Sequence, residues 1–392
     1  MINIINNKSN DYIDKKIIYF IRHENDLDFL LPLILSTKKI KIVFWKKINK
    51  KDVRIQYLLD NRYDLIFLNY FEKTDFIKFF LAIIGKISKR AYWLIEKTLN
   101  KISISSLKKN LQSNLSNTTV MDYEIIAFDH IMDNYVIEIN NYFKNISKNK
   151  LKLISLPHGI NPFMNNITNH RLINFLSTDM KIYDVVYCSD ERQFKTFINK
   201  NKKILPSLRY TKEYVKFFLD KILINNNSYY ENNKLNFLYL HSKFFGNIHK
   251  EEVIRLFKIL NKHKNCKLIF KKHPRGGYRE VKKLFDSKNL SITEEHTISS
   301  ILNCDFVICV QSIALYDALI LGKPVIFPTY ISSNIFDPNL LKYCYVVNSP
   351  DELVTCIDNI SKDQFEFNFK KYDGYKFSDS LQKWKKSLES II

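Results

Sequence analysis

Short apolar runs recur along this chain, separated by segments whose apolar residues fall at helical spacing. That alternation restricts it to an α/β fold with parallel sheets covered on both faces. In the first half the strand-like runs are KIIYFI (16–21), IKIVFWK (40–46), YDLIFLNY (63–70), DYEIIAFD (122–129), LKLISLP (151–157) and YDVVYCSD (183–190). Helical spacing marks Asp26–Ser36 and a long stretch from about Asp75 to Leu111. The polar, Asn-rich segment 222–234 (ILINNNSYYENNK) interrupts the pattern and is the best linker candidate. Beyond it come NFLYLHS (236–242), KLIFKKHP (267–274), LSIT (290–293), DFVICV (305–310) and PVIFPTY (324–330), with helices between them and a terminal helix over 375–390. A chain of 392 residues suits two domains. The pattern predicts an α/β protein with two Rossmann-like domains: an N-terminal one over 1–222, a C-terminal one over 235–374, and a helix over 375–392 that crosses back to the first.

Glycine is the count that most sharpens this reading. Average usage of about 7% would give roughly 27 glycines; the chain has seven. A chain this sparing keeps glycine where a side chain is not tolerated. Gly159, Gly246, Gly276, Gly277 and Gly322 all fall beside segments that carry candidate chemistry.

The first such segment is Lys271-Lys272-His273-Pro274-Arg275-Gly276-Gly277, after a strand and before a helix. Its cations, imidazole and backbone donors suit a phosphate, and Pro274 constrains the turn that presents His273. The bland alternative is a basic surface turn. The second is the end of the strand DFVICV at Gln311-Ser312, where a hydroxyl and helix-start N–H groups can hold a phosphate. Gly322 and Pro324 close the helix that follows. Ser299 and Ser300, after His296, form another polar helix start and read equally as N-caps or ligand contacts.

In the first half, Asp129, His130 and Asp133 follow a strand at its carboxyl end, and His158 is held between Pro157 and Gly159. Each reads as a catalytic candidate or as ordinary loop polarity; Arg22 and His23 are weaker candidates of the same kind. Asp26-Leu27-Asp28 imitates a metal-binding DxD but reads as a first helical turn, where acids complement the dipole. No required metal or other cofactor is expected.

The order of KKHP, a Ser-bearing strand-to-helix turn and GKPVIF resembles the C-terminal half of bacterial GT-B enzymes that use cytidine nucleotides, the sialyltransferases and Kdo transferases of surface polysaccharide synthesis. The resemblance covers about residues 150–345. It implies a GT-B fold, two Rossmann-like domains facing each other across a cleft. It also implies a CMP-activated sugar donor, contacted by His273, Pro274 and Ser312, with Lys272, Arg275, Gly276, Ser299 and Gln311 around them. CDP-glycerol glycerophosphotransferases show a similar order, with an HG turn comparable to His158-Gly159 and a segment comparable to Pro206–Tyr210. Sialyltransferases usually carry an acidic pair before a Gly upstream of HP. Here the loop runs from Ser242 to Asn247 with no carboxylate, leaving Ser242 and Asn247 as polar donor contacts. That departure favours a Kdo-like or other acidic sugar, with the base among Asp129, Asp133 and His158.

The expected activity is transfer of that sugar to a glycan or glycolipid acceptor of a bacterial capsule, lipopolysaccharide or O-antigen. The alternatives are a CDP-polyol phosphotransferase, a UDP-sugar transferase of the same fold, and a non-catalytic basic binding protein.

Charge and cysteine usage bear on location. Six cysteines without a CxxC pair read as reduced core residues. The segment MINIINNKSNDYIDKK has no apolar signal core, so a cytoplasmic protein is expected, peripheral on the inner membrane if it binds there. The net charge of +21 fits compositional drift in a Lys-, Asn- and Ile-crowded chain. It equally fits an anionic membrane surface or a phosphate-bearing substrate. Nucleic acid is not an expected partner, since no RNP, helix-turn-helix or zinc spacing is present. The apolar and basic stretch 75–111 reads either as a helix pair packed on the sheet or as an interfacial surface.

Overall fold

A computed structural model of the chain describes residues 12–70, 75–115, 120–129, 134–147, 150–157, 159, 166–168, 171–173, 178–223, 233–241, 248–271, 290–310, 312–362 and 372–391. They form two compact units, one of residues 1–158, 178–209 and 380–392, the other of residues 159–177 and 210–379.

The first unit is built on β1 (Ile13–Ile21), β2 (Thr37–Phe44), β3 (Leu65–Phe67), β4 (Ile125–Asp129) and β5 (Lys152–Leu156). After β5, the hairpin β6 (Asn166–Thr168) and β7 (Arg171–Ile173) falls in the second unit. The chain then returns with β8 (Thr178–Asp179), β9 (Val185–Cys188), β10 (Phe197–Ile198) and β11 (Lys202–Ile204). Seven of these strands make one parallel sheet, in the order β11-β9-β5-β4-β1-β2-β3. Its helices are α1 (Leu27–Leu35), α2 (Val53–Asp60), α3 (Asp75–Ile87), α4 (Lys89–Asn114), α5 (Asn134–Ser147) and α6 (Glu191–Thr196).

The central strands are buried on both faces, as their unbroken apolar runs require: Ile17–Ile21 of β1 and all of β4 are buried. Phe20 stacks on Phe128 at 4.9 Å, and Phe143 of α5 meets Phe20 edge-on at 5.5 Å. Leu107, Leu111 and Leu115, one helical turn apart, bury in the same core, each worth about 1.5–3 kcal/mol.

The second unit begins with α7 (Lys212–Lys221) and holds a six-stranded parallel sheet. Its strands are β12 (Leu235–Leu240), β13 (Cys266–Lys271), β14 (Leu290–Thr293), β15 (Phe306–Cys309), β16 (Val325–Pro328) and β17 (Tyr345–Val347), in the order β14-β13-β12-β15-β16-β17. Its other helices are α8 (Lys250–Lys262), α9 (Thr297–Asn303), α10 (Ala314–Ile320), α11 (Pro338–Leu341) and α12 (Pro350–Ser361). In each unit the first strand lies inside the sheet and the strand order reverses beside it, which makes both Rossmann-like.

Residues 210–222 cluster with the second unit, because α7 has an apolar face to bury there. Phe218 packs on His296 at 4.8 Å and Tyr210 on Tyr316 at 5.1 Å. The last helix, α13 (Phe377–Glu389), joins the first unit from Ser380 onward. Its buried Trp384 lies 5.0 Å from the Tyr187 ring and donates a 2.8 Å hydrogen bond to the Pro206 carbonyl. All six cysteines are buried and unbridged, and burial pushes the Cys304 and Cys309 thiols up to about 12. They are inert core groups.

Candidate functional site

In open α/β sheets ligands settle beyond the carboxyl ends of the strands, where the strand order reverses. In the first unit that point lies between β1 and β4, paired from Ile17↔Ile125 to Phe20↔Phe128. The register brings Arg22, just after β1, to Asp129, the last residue of β4. Arg22 Nη2 stands 3.8 Å from Asp129 Oδ2, and Asp129 is 3% exposed. A carboxylate and a guanidinium therefore meet where a polar ligand would enter. His23 serves the adjacent turn, its backbone N–H donating to Asp26 Oδ2 at 2.9 Å. Asp133 and His158 lie outside the described residues, as does His130.

The Asp26-Leu27-Asp28 acids are engaged locally. Asp28 at the start of α1 pairs with Arg54 and, at 3.4 Å, with Arg209.

In the second unit the reversal lies between β12 and β15, where Leu240 pairs with Cys309. The residues that follow are His241 and Val310. His241 is 3% exposed, with its ring 4.9 Å from Phe270, and it immediately precedes Ser242. Beside it β13 ends at Lys271, in register with Leu240 and Thr293. Ser242, Asn247, Lys272, His273, Pro274, Arg275, Gly276 and Gln311 lie outside the described residues.

Ser312 opens the turn into α10, and its hydroxyl accepts from the Ala314 N–H at 3.3 Å. Gly322 ends that helix at φ +68°, the left-handed conformation that favours glycine. Gly159, at φ +148°, sits where an added Cβ would come within 2.8 Å of Ile313 Cδ1. The glycine of the HG turn is thus packed beside the residue that follows Ser312. His296 caps α9, its Nδ1 accepting from the Ile298 N–H at 3.2 Å, whereas Ser299 and Ser300 are buried inside the helix.

Three features escaped sequence reasoning. Glu295, two residues past the end of β14, has both carboxylate oxygens buried and without a hydrogen-bond partner among the described residues. Burial pushes its carboxyl pKa up, and Lys271 draws it only partly back. Its signal in the sequence was an acid at a strand's carboxyl end. Asp317 is fully buried in α10, a carboxylate able to accept hydrogen bonds one turn beyond Ser312. A cavity of about 470 Å³ is lined by His249, Glu251, Glu252, Arg255, Tyr330 and Pro350. Those residues open α8, follow β16 or open α12, so the cavity also belongs to the sheet's carboxyl edge. Tyr330 Oη and Glu252 Oε2 are buried there without a hydrogen-bond partner among the described residues.

Because the folded state holds a proton on Glu295 more readily than the unfolded chain, ionisation of this group opposes folding. Stability should fall as pH rises from the unfolded carboxyl pKa through the raised folded one. Glu295→Gln should remove that slope and melt no lower than wild type at neutral pH. Melting temperatures of both proteins across the acid range would check this; parallel curves would contradict it.

Neither a protein-family model nor a curated sequence matches the chain. Solved structures do. A Listeria monocytogenes protein assigned as a UDP-N-acetylglucosamine 2-epimerase aligns at TM-score 0.57 with 8% identity, covering 96% of each chain. The UDP-GlcNAc 2-epimerase of Neisseria meningitidis, solved with UDP-GlcNAc bound, aligns at 0.56 with 10% identity over 95% of this chain and 99% of its own. The UDP-GlcNAc 2-epimerase of Methanocaldococcus jannaschii aligns at 0.52 with 14% identity over 96% and 99%. Identities this low establish the fold: two Rossmann-like domains of the GT-B type.

Proposed function

We propose that this protein is an enzyme acting on a UDP-activated sugar, and that its reaction is glycosyl transfer. The observation that carries the reading is the pair of strand-order reversals, Arg22 and Asp129 at one and His241 and Ser312 at the other. The fold it shares with UDP-GlcNAc 2-epimerases supports a uridine donor over a cytidine one. Lys272, His273 and Arg275, which follow β13 directly, would neutralise the donor diphosphate together with Ser312. As the bond from the sugar C1 to the UDP oxygen breaks, a bond from C1 to an acceptor oxygen forms, and Asp129 would take the acceptor's proton.

One observation favours a second donor class. The order KKHP, Ser312 and GKPVIF resembles that of enzymes using CMP-linked acidic sugars. A thermal-shift screen decides between the two. UDP at 100 times its Kd should stabilise the protein by about 2.7 kcal/mol, with CMP, CDP and GDP giving less at equal concentration. A larger shift with CMP would restore the acidic-sugar donor, and no shift with any nucleotide would overturn both. Incubation with UDP-sugars then separates the chemistries. Acceptor-dependent release of UDP marks transfer, whereas an isomerised UDP-sugar without UDP release marks epimerisation. Turnover should persist in EDTA.

A further inference from the structure

Among the described residues, the end of the α3–α4 hairpin is anchored by the last turns of α4. Ser103, Leu107 and Leu111, in the last turns of α4, are buried against the first unit's core. The 26 residues of α4 span about 39 Å, so much of the helix stands away from that anchor. At the tip, α3 and α4 are separated by one residue, Ser88, whose hydroxyl accepts from the Ala91 N–H. There the hairpin exposes Ile87 at 81%, Trp93 at 67% and Leu94 at 68%. Phe79, Phe80 and Ile83 continue the apolar stripe along α3. Apolar surface this concentrated is seldom left to water. Lys86, Lys89, Arg90, Lys97 and Lys101 stand exposed among these side chains. From Lys86 to Lys109 the chain carries seven basic residues and one acid, Glu96.

We propose that the α3–α4 tip docks this protein on an anionic phospholipid surface, its aromatic and aliphatic side chains entering the headgroup layer and its cations pairing with lipid phosphates. The occupant follows from chemistry. An apolar stripe interleaved with cations matches a surface that is apolar below and negative above. A second copy of the chain would set two strongly basic tips against each other. Spanning is excluded for the described helices, none of which is long and apolar enough to cross a membrane.

The test needs no substrate, so its outcome is separate from that of the proposed activity. Trp45 and Trp384 are buried, which leaves Trp93 as the exposed tryptophan. Its emission should shift to the blue when phosphatidylcholine vesicles containing phosphatidylglycerol are added at low salt, and added salt should reverse the shift. In flotation assays Lys86→Glu/Lys89→Glu/Arg90→Glu should weaken binding at least about 100-fold. Trp93→Ser/Leu94→Ser should weaken it about tenfold or more. Both variants should keep the wild-type melting transition, because the side chains are exposed. Wild-type protein that stays free of anionic vesicles would overturn the proposal. So would undiminished binding by either variant, or a Trp93 shift that follows protein concentration without lipid.

Discussion

Alanine in place of His273 is expected to lower kcat by about 10²–10³ with the identified donor, the loss seen when one transition-state hydrogen-bond donor is removed. The imidazole follows β13 by two residues, next to Lys272 and ahead of Arg275. As the donor bond breaks, negative charge grows on the departing phosphate, and a donor there stabilises the transition state more than the bound substrate. KM should therefore move less than kcat. His263→Ala is the control. His263 ends α8 and stands 3.5 Å from Asp358 Oδ1, an exposed pairing at 22% and 45% accessibility, whose loss costs about 1 kcal/mol or less. Turnover by His273→Ala equal to wild type would remove the donor phosphate from this strand end.

The sheet was legible in the sequence because its strands are nearly all apolar. DYEIIAFD became β4, LSIT became β14 and DFVICV became β15, each within three residues at either end. Strands made of mixed residues were not seen: β11 is Lys-Lys-Ile at the sheet edge, where one exposed side relaxes the need for apolar groups. Strand order is the larger gap. Arg22 and Asp129 are over a hundred residues apart, and only the return of β4 beside β1 brings them together. Periodicity carries no record of which strands are neighbours. Glu295 escaped for a related reason. A carboxylate is expected to be solvated, and its burial is a product of the packing around α9.

Arg54→Met should be the most destabilising of the single substitutions considered, at about 3–5 kcal/mol, or roughly a 6–20 °C fall in Tm for a unit of this size. Arg54 is 3% exposed. Its guanidinium holds Asp52 in a fork, Nε to Oδ1 at 2.8 Å and Nη2 to Oδ2 at 2.6 Å, and its Nη1 pairs with Asp28. Asp52 also caps α2 by accepting from the Arg54 N–H at 3.0 Å. Burial pulls the Arg54 pKa down, but the Asp28 and Asp52 carboxylates outweigh it and hold the group charged. Removing the cation leaves two largely buried carboxylates, one of them 3.4 Å from Arg209. Neutralising those acids should then recover much of the loss, so Arg54→Met/Asp28→Asn/Asp52→Asn should melt above Arg54→Met alone. Urea and thermal melts of the series measure the coupling. A melting temperature for Arg54→Met within about 2 °C of wild type, below the fall expected for an uncompensated buried charge, would show that this cluster is not what fixes α1 to α2. Asp28 would then be available for the ligand role that its spacing from Asp26 imitates, and added Mg²⁺ or Mn²⁺ should raise the Tm. With Arg54 in place, neither ion should.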